Sequence, residues 1–307
     1  MDGFESITNV DGVITPTSDA RVPVMDRGFL YGDSIYEVFR TYEGVPLFYD
    51  EHWARFKNSA ELIHMELEFT KDKMRDEICR TIRATNASKC DRDVYVRYTV
   101  TRGEGPVDLF PGPELVTRYV IIVKGLNDWN PEFYRVGLCL AIPETRRNPV
   151  SALDPNIKGG NYLNNVLGVI QARELGADDC VMLNDSGLVT EASNSNVFFV
   201  IDGALVTPGE SAGHLRGLTK AAIKTACIAR DLGVVSRDIS LDDLVNTSEC
   251  FITSATREVM PVLSLRLPDG QMLSYPEGGG AVTRKVMEYY KDFVKTYLVG
   301  NAHLNMF

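Results

Sequence analysis

Lys158 lies in the run Asn156-Ile157-Lys158-Gly159-Gly160-Asn161-Tyr162-Leu163-Asn164-Asn165. A lysine beside two glycines leaves room for a planar ring to approach its amine. Schiff-base chemistry needs such an amine desolvated or set near another cation, which brings its pKa into the working range. Tyr162, four residues on, can reach the same ring. Glu191 stands in Leu188-Val189-Thr190-Glu191-Ala192-Ser193-Asn194-Ser195-Asn196, before the apolar Val197-Phe198-Phe199. A carboxylate facing a pyridine nitrogen keeps that nitrogen protonated and makes the ring a better electron sink. Leu215-Arg216-Gly217-Leu218-Thr219-Lys220 leads into an apolar-periodic helix, and a glycine before free helix-start N–H groups is a phosphate cradle. Ser254, Ala255 and Thr256 follow an apolar strand and offer further hydroxyls, and Arg40, Arg55 and Arg97 offer forks matched to phosphate and carboxylate. Taken singly, each has a bland equivalent: a solvated lysine, a hairpin-edge carboxylate, an ordinary helix cap or a surface ion pair.

The elements that must position these groups are legible in part. Residues 51–66 repeat Trp53, Phe56, Ala60 and Ile63 at helical spacing, and residues 71–84 form a second helix candidate. Residues 94–100 alternate, placing Tyr95, Arg97 and Thr99 on one strand face and Val94, Val96, Tyr98 and Val100 on the other; residues 116–123 form a companion strand. The polar stretch 125–134, with Asn127, Asp128, Asn130 and Pro131, reads as a linker between a domain at 1–124 and one at 135–307. Beyond it come a strand at 137–142, a helix at 161–175 and hairpins turning at 184–187 and at Asp202-Gly203. Helices at 217–232, 240–244 and 281–298 and a strand at 250–254 complete an α+β pattern.

Bulk properties set limits. The 307 residues suit two domains, and 42 acidic against 32 basic residues give a net charge of -10. That balance argues against a nucleic-acid groove or an anionic membrane surface. Met1-Asp2-Gly3-Phe4-Glu5 lacks a signal peptide's basic start, and no apolar run reaches the ~20 residues of a membrane span, so a cytoplasmic protein is expected. Six scattered cysteines read as reduced thiols. The four histidines lack metal-ligand spacing, which disfavours a zinc hydrolase.

Taken together and in order, these segments resemble the class IV pyridoxal-phosphate enzymes: branched-chain aminotransferases, D-amino-acid and (R)-amine transaminases, and aminodeoxychorismate lyases. The resemblance runs from about Val22 to the last helix and includes Tyr31-Gly32-Asp33-Ser34-Ile35-Tyr36-Glu37. It implies a fold-type IV, D-amino-acid-aminotransferase-like architecture, with a small N-terminal α/β domain, a larger C-terminal domain and the site between them. It makes Lys158 the Schiff-base lysine and proton shuttle, Tyr162 the partner of the ring hydroxyl, and Glu191 the partner of the pyridine nitrogen, with Asn196 in the same cofactor-binding segment. Arg55, Gly217, Leu218 and Thr219 become the phosphate cup. Tyr31, Tyr36, Arg40, Tyr95 and Arg97 line the substrate side, and a loop near Leu109-Phe110 covers the neighbouring subunit's pocket in a homodimer. Ala255 stands where the cup usually has threonine, between Ser254 and Thr256. The implied reaction passes an amino group between a small amino donor and a 2-oxo acid. Tyr95-x-Arg97 points to branched-chain-like substrates, whereas Tyr36 and Val38 look more like the D-amino-acid and (R)-amine enzymes.

Overall fold

A computed structural model describes residues 4–87, 92–126 and 129–307. The chain forms two compact units, one of Met1–Asn127, Ile157–Asn161 and Thr296–Phe307, the other of Asp128–Asn156 and Tyr162–Lys295. The segments 157–161 and 296–307, expected in the C-terminal domain, thus pack with the first unit. Backbone pairing is the reason: Tyr36 N–H donates to Lys158 O at 2.9 Å, Gly160 N–H to Ser34 O at 2.9 Å, and Met306 N–H to Gly44 O at 3.0 Å. The linker residues Asn127 and Asp128, the first three residues of the N-terminal reading, and Cys90 lie outside the described residues.

The first unit holds β1 (Ile7–Val10), β2 (Val13–Pro16), α1 (Arg27–Tyr31), β3 (Ser34–Tyr42), β4 (Val45–Pro46), α2 (Tyr49–Leu62), α3 (Lys71–Ala84), β5 (Val94–Thr101) and β6 (Arg118–Gly125). Its six strands make one antiparallel sheet in the order β2-β1-β6-β5-β3-β4. Alternation on β5 buries Val94, Val96, Tyr98 and Val100, and α2 and α3 cover that face with Trp53, Phe56, Ala60, Met74, Ile78 and Ile82. The α2 helix starts and stops earlier than its periodicity predicts, because Phe48 takes a left-handed conformation before it and Ile63 leaves helical geometry after it. Thr70 caps α3 by accepting from Lys73 N–H.

The second unit runs α4 (Glu132–Arg135), β7 (Leu138–Ala141), α5 (Leu163–Glu174), β8 (Asp179–Leu183), β9 (Val189–Ala192), β10 (Asn196–Ile201), β11 (Ala204–Pro208), α6 (Leu218–Ile228), β12 (Val234–Arg237), α7 (Leu241–Leu244), β13 (Thr247–Ser254), β14 (Glu258–Arg266), β15 (Met272–Ser274) and α8 (Ala281–Gly300) up to Lys295. Its mixed sheet follows β12-β11-β10-β13-β14-β7-β8-β9, with β15 on β14. Asp202 and Gly203, at φ 49° and 79°, turn the β10–β11 hairpin where their sequence signature placed it. Ser240 and Asp243 form a capping box on α7. Both strands of the β8–β9 hairpin are buried throughout, so it lacks the alternation a half-buried strand shows. Among the described residues the five cysteines are free, four of them buried, and no helix is long and apolar enough to cross a membrane.

Candidate active site

In the first unit, β3 and α2 position one set of groups. Alternation sends Glu37 and Phe39 into the core and leaves Tyr36, Val38 and Arg40 on the opposite face. His52, Arg55 and Ser59 share one stripe of α2. Glu37 Oε1 accepts from Arg55 Nε at 2.7 Å and Oε2 from Arg55 Nη2 at 2.7 Å, while His52 Nδ1 lies 2.7 Å from Oε2. Burial raises the Glu37 pKa, but Arg55 and His52 outweigh it and hold the carboxyl well below the usual carboxylate range. Burial pushes the His52 pKa down, against the pull of Glu37.

This framework holds Lys158. Its N–H donates to Ser59 Oγ at 3.1 Å, and its carbonyl accepts from Tyr36. The side chain places Nζ 3.4 Å from Tyr36 Oη and 4.5 Å from the Tyr36 ring centroid. The Arg97 guanidinium, on β5, lies 3.7 Å from the same centroid, and its Nε donates to Thr99 Oγ1 at 3.2 Å. One buried tyrosine therefore joins the lysine to an arginine. Gly160 also has a packing role. A Cβ on Gly160 would meet Ser34 Oγ at 2.2 Å, so that residue is small to let the lysine segment lie against β3.

The other expected substrate-side residues make different contacts. Arg40 lies over Tyr42 at 4.1 Å, Tyr95 under Lys124 at 4.9 Å, and Tyr31 under Arg27 at 4.9 Å. Phe110 is 74% exposed, on a loop held by Arg27, whose guanidinium donates to Asp108 O and Leu109 O at 2.5 and 2.8 Å. Arg55, expected at the phosphate, has its Nε and Nη2 on Glu37.

In the second unit, the buried Glu191 is the hub. Its Oε1 pairs with Arg147 Nη2 at 3.2 Å, and its Oε2 accepts from Leu215 N–H at 3.3 Å and from Asn196 Nδ2 at 3.5 Å. Asn165, on α5, accepts from Arg147 and donates to Ser193 O at 2.6 Å. Tyr162 occupies the residue before α5. Asn196 also donates to Leu215 O at 3.0 Å and faces Thr253 across the β10–β13 ladder. The Thr253 hydroxyl is buried without a hydrogen-bond partner among the described residues.

Gly217 precedes α6, with no side chain capping the helix and no acidic residue in its first turn. A Cβ on Gly217 would stand 1.8 Å from Asn196 Oδ1, so any other residue would displace the Asn196 side chain. Thr219 is buried in that turn. Ser254 Oγ accepts from Arg257 N–H at 3.2 Å, and Ala255 and Thr256 lie in the turn between β13 and β14. An uncapped helix start, a glycine crowded by Asn196 and an orphaned hydroxyl on the neighbouring ladder fit a phosphate group. The buried carboxylate beside them fits a cationic ring nitrogen.

Glu37, His52, Ser59, Arg147 and Asn165 were not singled out from the sequence. Glu37 carried a faint signal: it falls on the core face of an alternating strand, and a carboxylate there requires a cation. Arg147 lies in an irregular segment and offers no such pattern.

Comparison with known proteins gives the family. A family model described as amino-transferase class IV matches residues 34–265. The chain is 34% identical over 286 residues to a putative branched-chain-amino-acid aminotransferase of Methanocaldococcus jannaschii, covering 92% of this chain and 94% of that one. It is 30% identical to a D-alanine aminotransferase of Bacillus licheniformis, covering 88% and 90%. A crystal structure of the Escherichia coli branched-chain amino acid aminotransferase superimposes with a TM-score of 0.84 at 25% identity, covering 92% and 93%.

Proposed function

The chain belongs to the class IV aminotransferases, and from that premise we propose that it transfers the amino group of a small, branched-chain-like amino acid to a 2-oxo acid, with Lys158 carrying pyridoxal 5'-phosphate. The observation that supports an amino-acid substrate is the Lys158–Tyr36–Arg97 set, in which one tyrosine contacts both the amine and a guanidinium, and the branched-chain aminotransferase relatives support the substrate class. The cofactor, when bound, supplies the electron sink that makes the substrate α-carbon acidic.

The chain's own residues then have distinct tasks. Lys158 Nζ holds and moves the proton at the reacting carbon, with Tyr36 Oη 3.4 Å away to orient it. Arg97 binds a substrate carboxylate and is kept in place by Tyr36 and Thr99. Glu191 would pair with the ring nitrogen, and Arg147, 3.2 Å from its Oε1, orients the carboxylate. Leu218 and Thr219 N–H groups would hold the phosphate, joined by a hydroxyl of the Thr253–Thr256 stretch and by Arg55. Tyr162 bonds the ring hydroxyl.

A second reading, a D-amino-acid or (R)-amine transaminase, rests on the D-alanine aminotransferase relative. A half-reaction panel of L-amino acids, D-amino acids and (R)-amines distinguishes the two. Loss of the cofactor's absorbance band with L-valine or L-leucine supports the first reading, and loss only with D-alanine or (R)-amines replaces it with the second. We propose further that the working form is a cytoplasmic homodimer. Leu163, Val166, Leu167 and Ile170 leave an exposed apolar stripe on α5, and Leu109 and Phe110 are exposed in the first unit.

A further inference from the structure

Lys220 and His214 make a buried contact that the reading above does not use. Lys220 lies in the first turn of α6, directly after Leu218 and Thr219. Its Nζ donates to Pro208 O at 2.8 Å and to His214 Nε2 at 2.9 Å. His214 Nδ1 lies 3.0 Å from Leu215 O. A proton on Nδ1 satisfies both ring nitrogens, with Nδ1–H donating to Leu215 O and Nε2 accepting from the lysine. The other tautomer, donating to Pro208 O at 3.0 Å, would set two donors against each other.

These bonds tie the loop 209–217 at three places: the end of β11, the residue before Leu215, and the first turn of α6. Leu215 is the residue whose N–H meets Glu191 and whose carbonyl meets Asn196. The lysine is an odd choice for its place. A cation in a helix's first turn meets the positive end of the macrodipole, and this turn holds no acidic residue to offset it. Both side chains are also buried, at 7% and 4% exposure. An anion at the helix start would reverse that penalty.

We infer that Lys220, held by His214 and Pro208, is a positioning residue that adds a positive charge at the helix start where the cofactor's phosphate binds. The inference rests on Gly217–Thr219 being the phosphate cradle. Burial, and then Lys224 one turn along the helix, push the Lys220 amine down to about 8, against Glu191 on β9 and Glu210 in the loop. A bound phosphate favours the charged amine, so its contribution to affinity is full below that value. It falls away as pH rises above it.

The test titrates the full-length chain, freed of cofactor, with pyridoxal phosphate and with pyridoxal on both sides of pH 8. The unchanged protein should prefer the phosphorylated form, and the preference should shrink above that pH. Lys220→Met should weaken pyridoxal phosphate roughly tenfold at neutral pH, the effect of one charge-assisted bond, leave pyridoxal nearly unaffected and flatten the profile. Lys220→Arg, charged throughout, should keep the preference and lose the pH dependence. Equal loss of both ligands in Lys220→Met, or an unaltered profile, overturns the inference. Should that variant not fold, an inflection shared by the unchanged protein and Lys220→Arg overturns it instead. If the unchanged protein shows no preference at all, the phosphate cradle itself fails and the inference fails with it.

Discussion

Replacing Glu37 by glutamine should damage the first unit far more than its one-atom change suggests. The carboxylate is fully buried and makes three contacts of 2.7 Å, two to Arg55 and one to His52. Glutamine keeps one acceptor and turns an NH2 group toward a guanidinium that can only donate. Leaving a buried charge uncompensated costs about 3–5 kcal/mol, a large part of the ~5–15 kcal/mol that holds a domain folded. The penalty belongs to the orphaned cation, so adding Arg55→Met should recover part of it. Urea unfolding of Glu37→Gln, Arg55→Met and the double variant measures each term. The pH dependence has a definite sign. The folded-state pKa of Glu37 lies below its ordinary 4.5, so its stabilisation is present above that value and is lost as pH falls below it. Glu37→Gln should remove this acid-side slope. A loss under about 1 kcal/mol, or a double variant that is simply additive, would refute the reasoning.

Other substitutions probe the remaining roles. Glu191→Gln should slow the proton-abstraction step while cofactor affinity stays largely intact; loss of cofactor with an unchanged rate per bound cofactor would assign Glu191 to packing. Arg97→Ala should raise KM for 2-oxoglutarate by roughly one to two orders of magnitude, the loss of one charge-assisted bond, and change pyruvate kinetics much less; the assignment passes to Arg40 if only Arg40→Ala does so. Gly217→Ala should cost cofactor affinity, because its Cβ would stand 1.8 Å from Asn196 Oδ1 and force that side chain off Leu215 O; equilibrium cofactor binding checks it.

The sequence discloses the local elements well and the long-range pairings poorly. The α3 helix shows its full length in its periodicity, and the turn at Asp202-Gly203 is written in two residues. Lys158, Glu191 and Gly217 stand out because each sits in a run whose residue types suit one chemistry. The Glu37–Arg55–His52 set does not, since it depends on which face of α2 meets which face of β3. Nor does the return of residues 157–161 to the first unit, which two backbone bonds to β3 decide. Arg147 and Lys220 are hidden for a related reason. A basic side chain in a loop or a helix turn reads as solvated until its burial is known.

The most direct measurement of the central claim is covalent trapping. Reduction of the cofactor-loaded protein with borohydride, followed by peptide mapping, fixes the cofactor to whichever lysine carries it. The label is expected on the peptide containing Lys158, with Lys158→Ala giving none there. A label on Lys220 or another lysine, or full retention of label and turnover in Lys158→Ala, would contradict it.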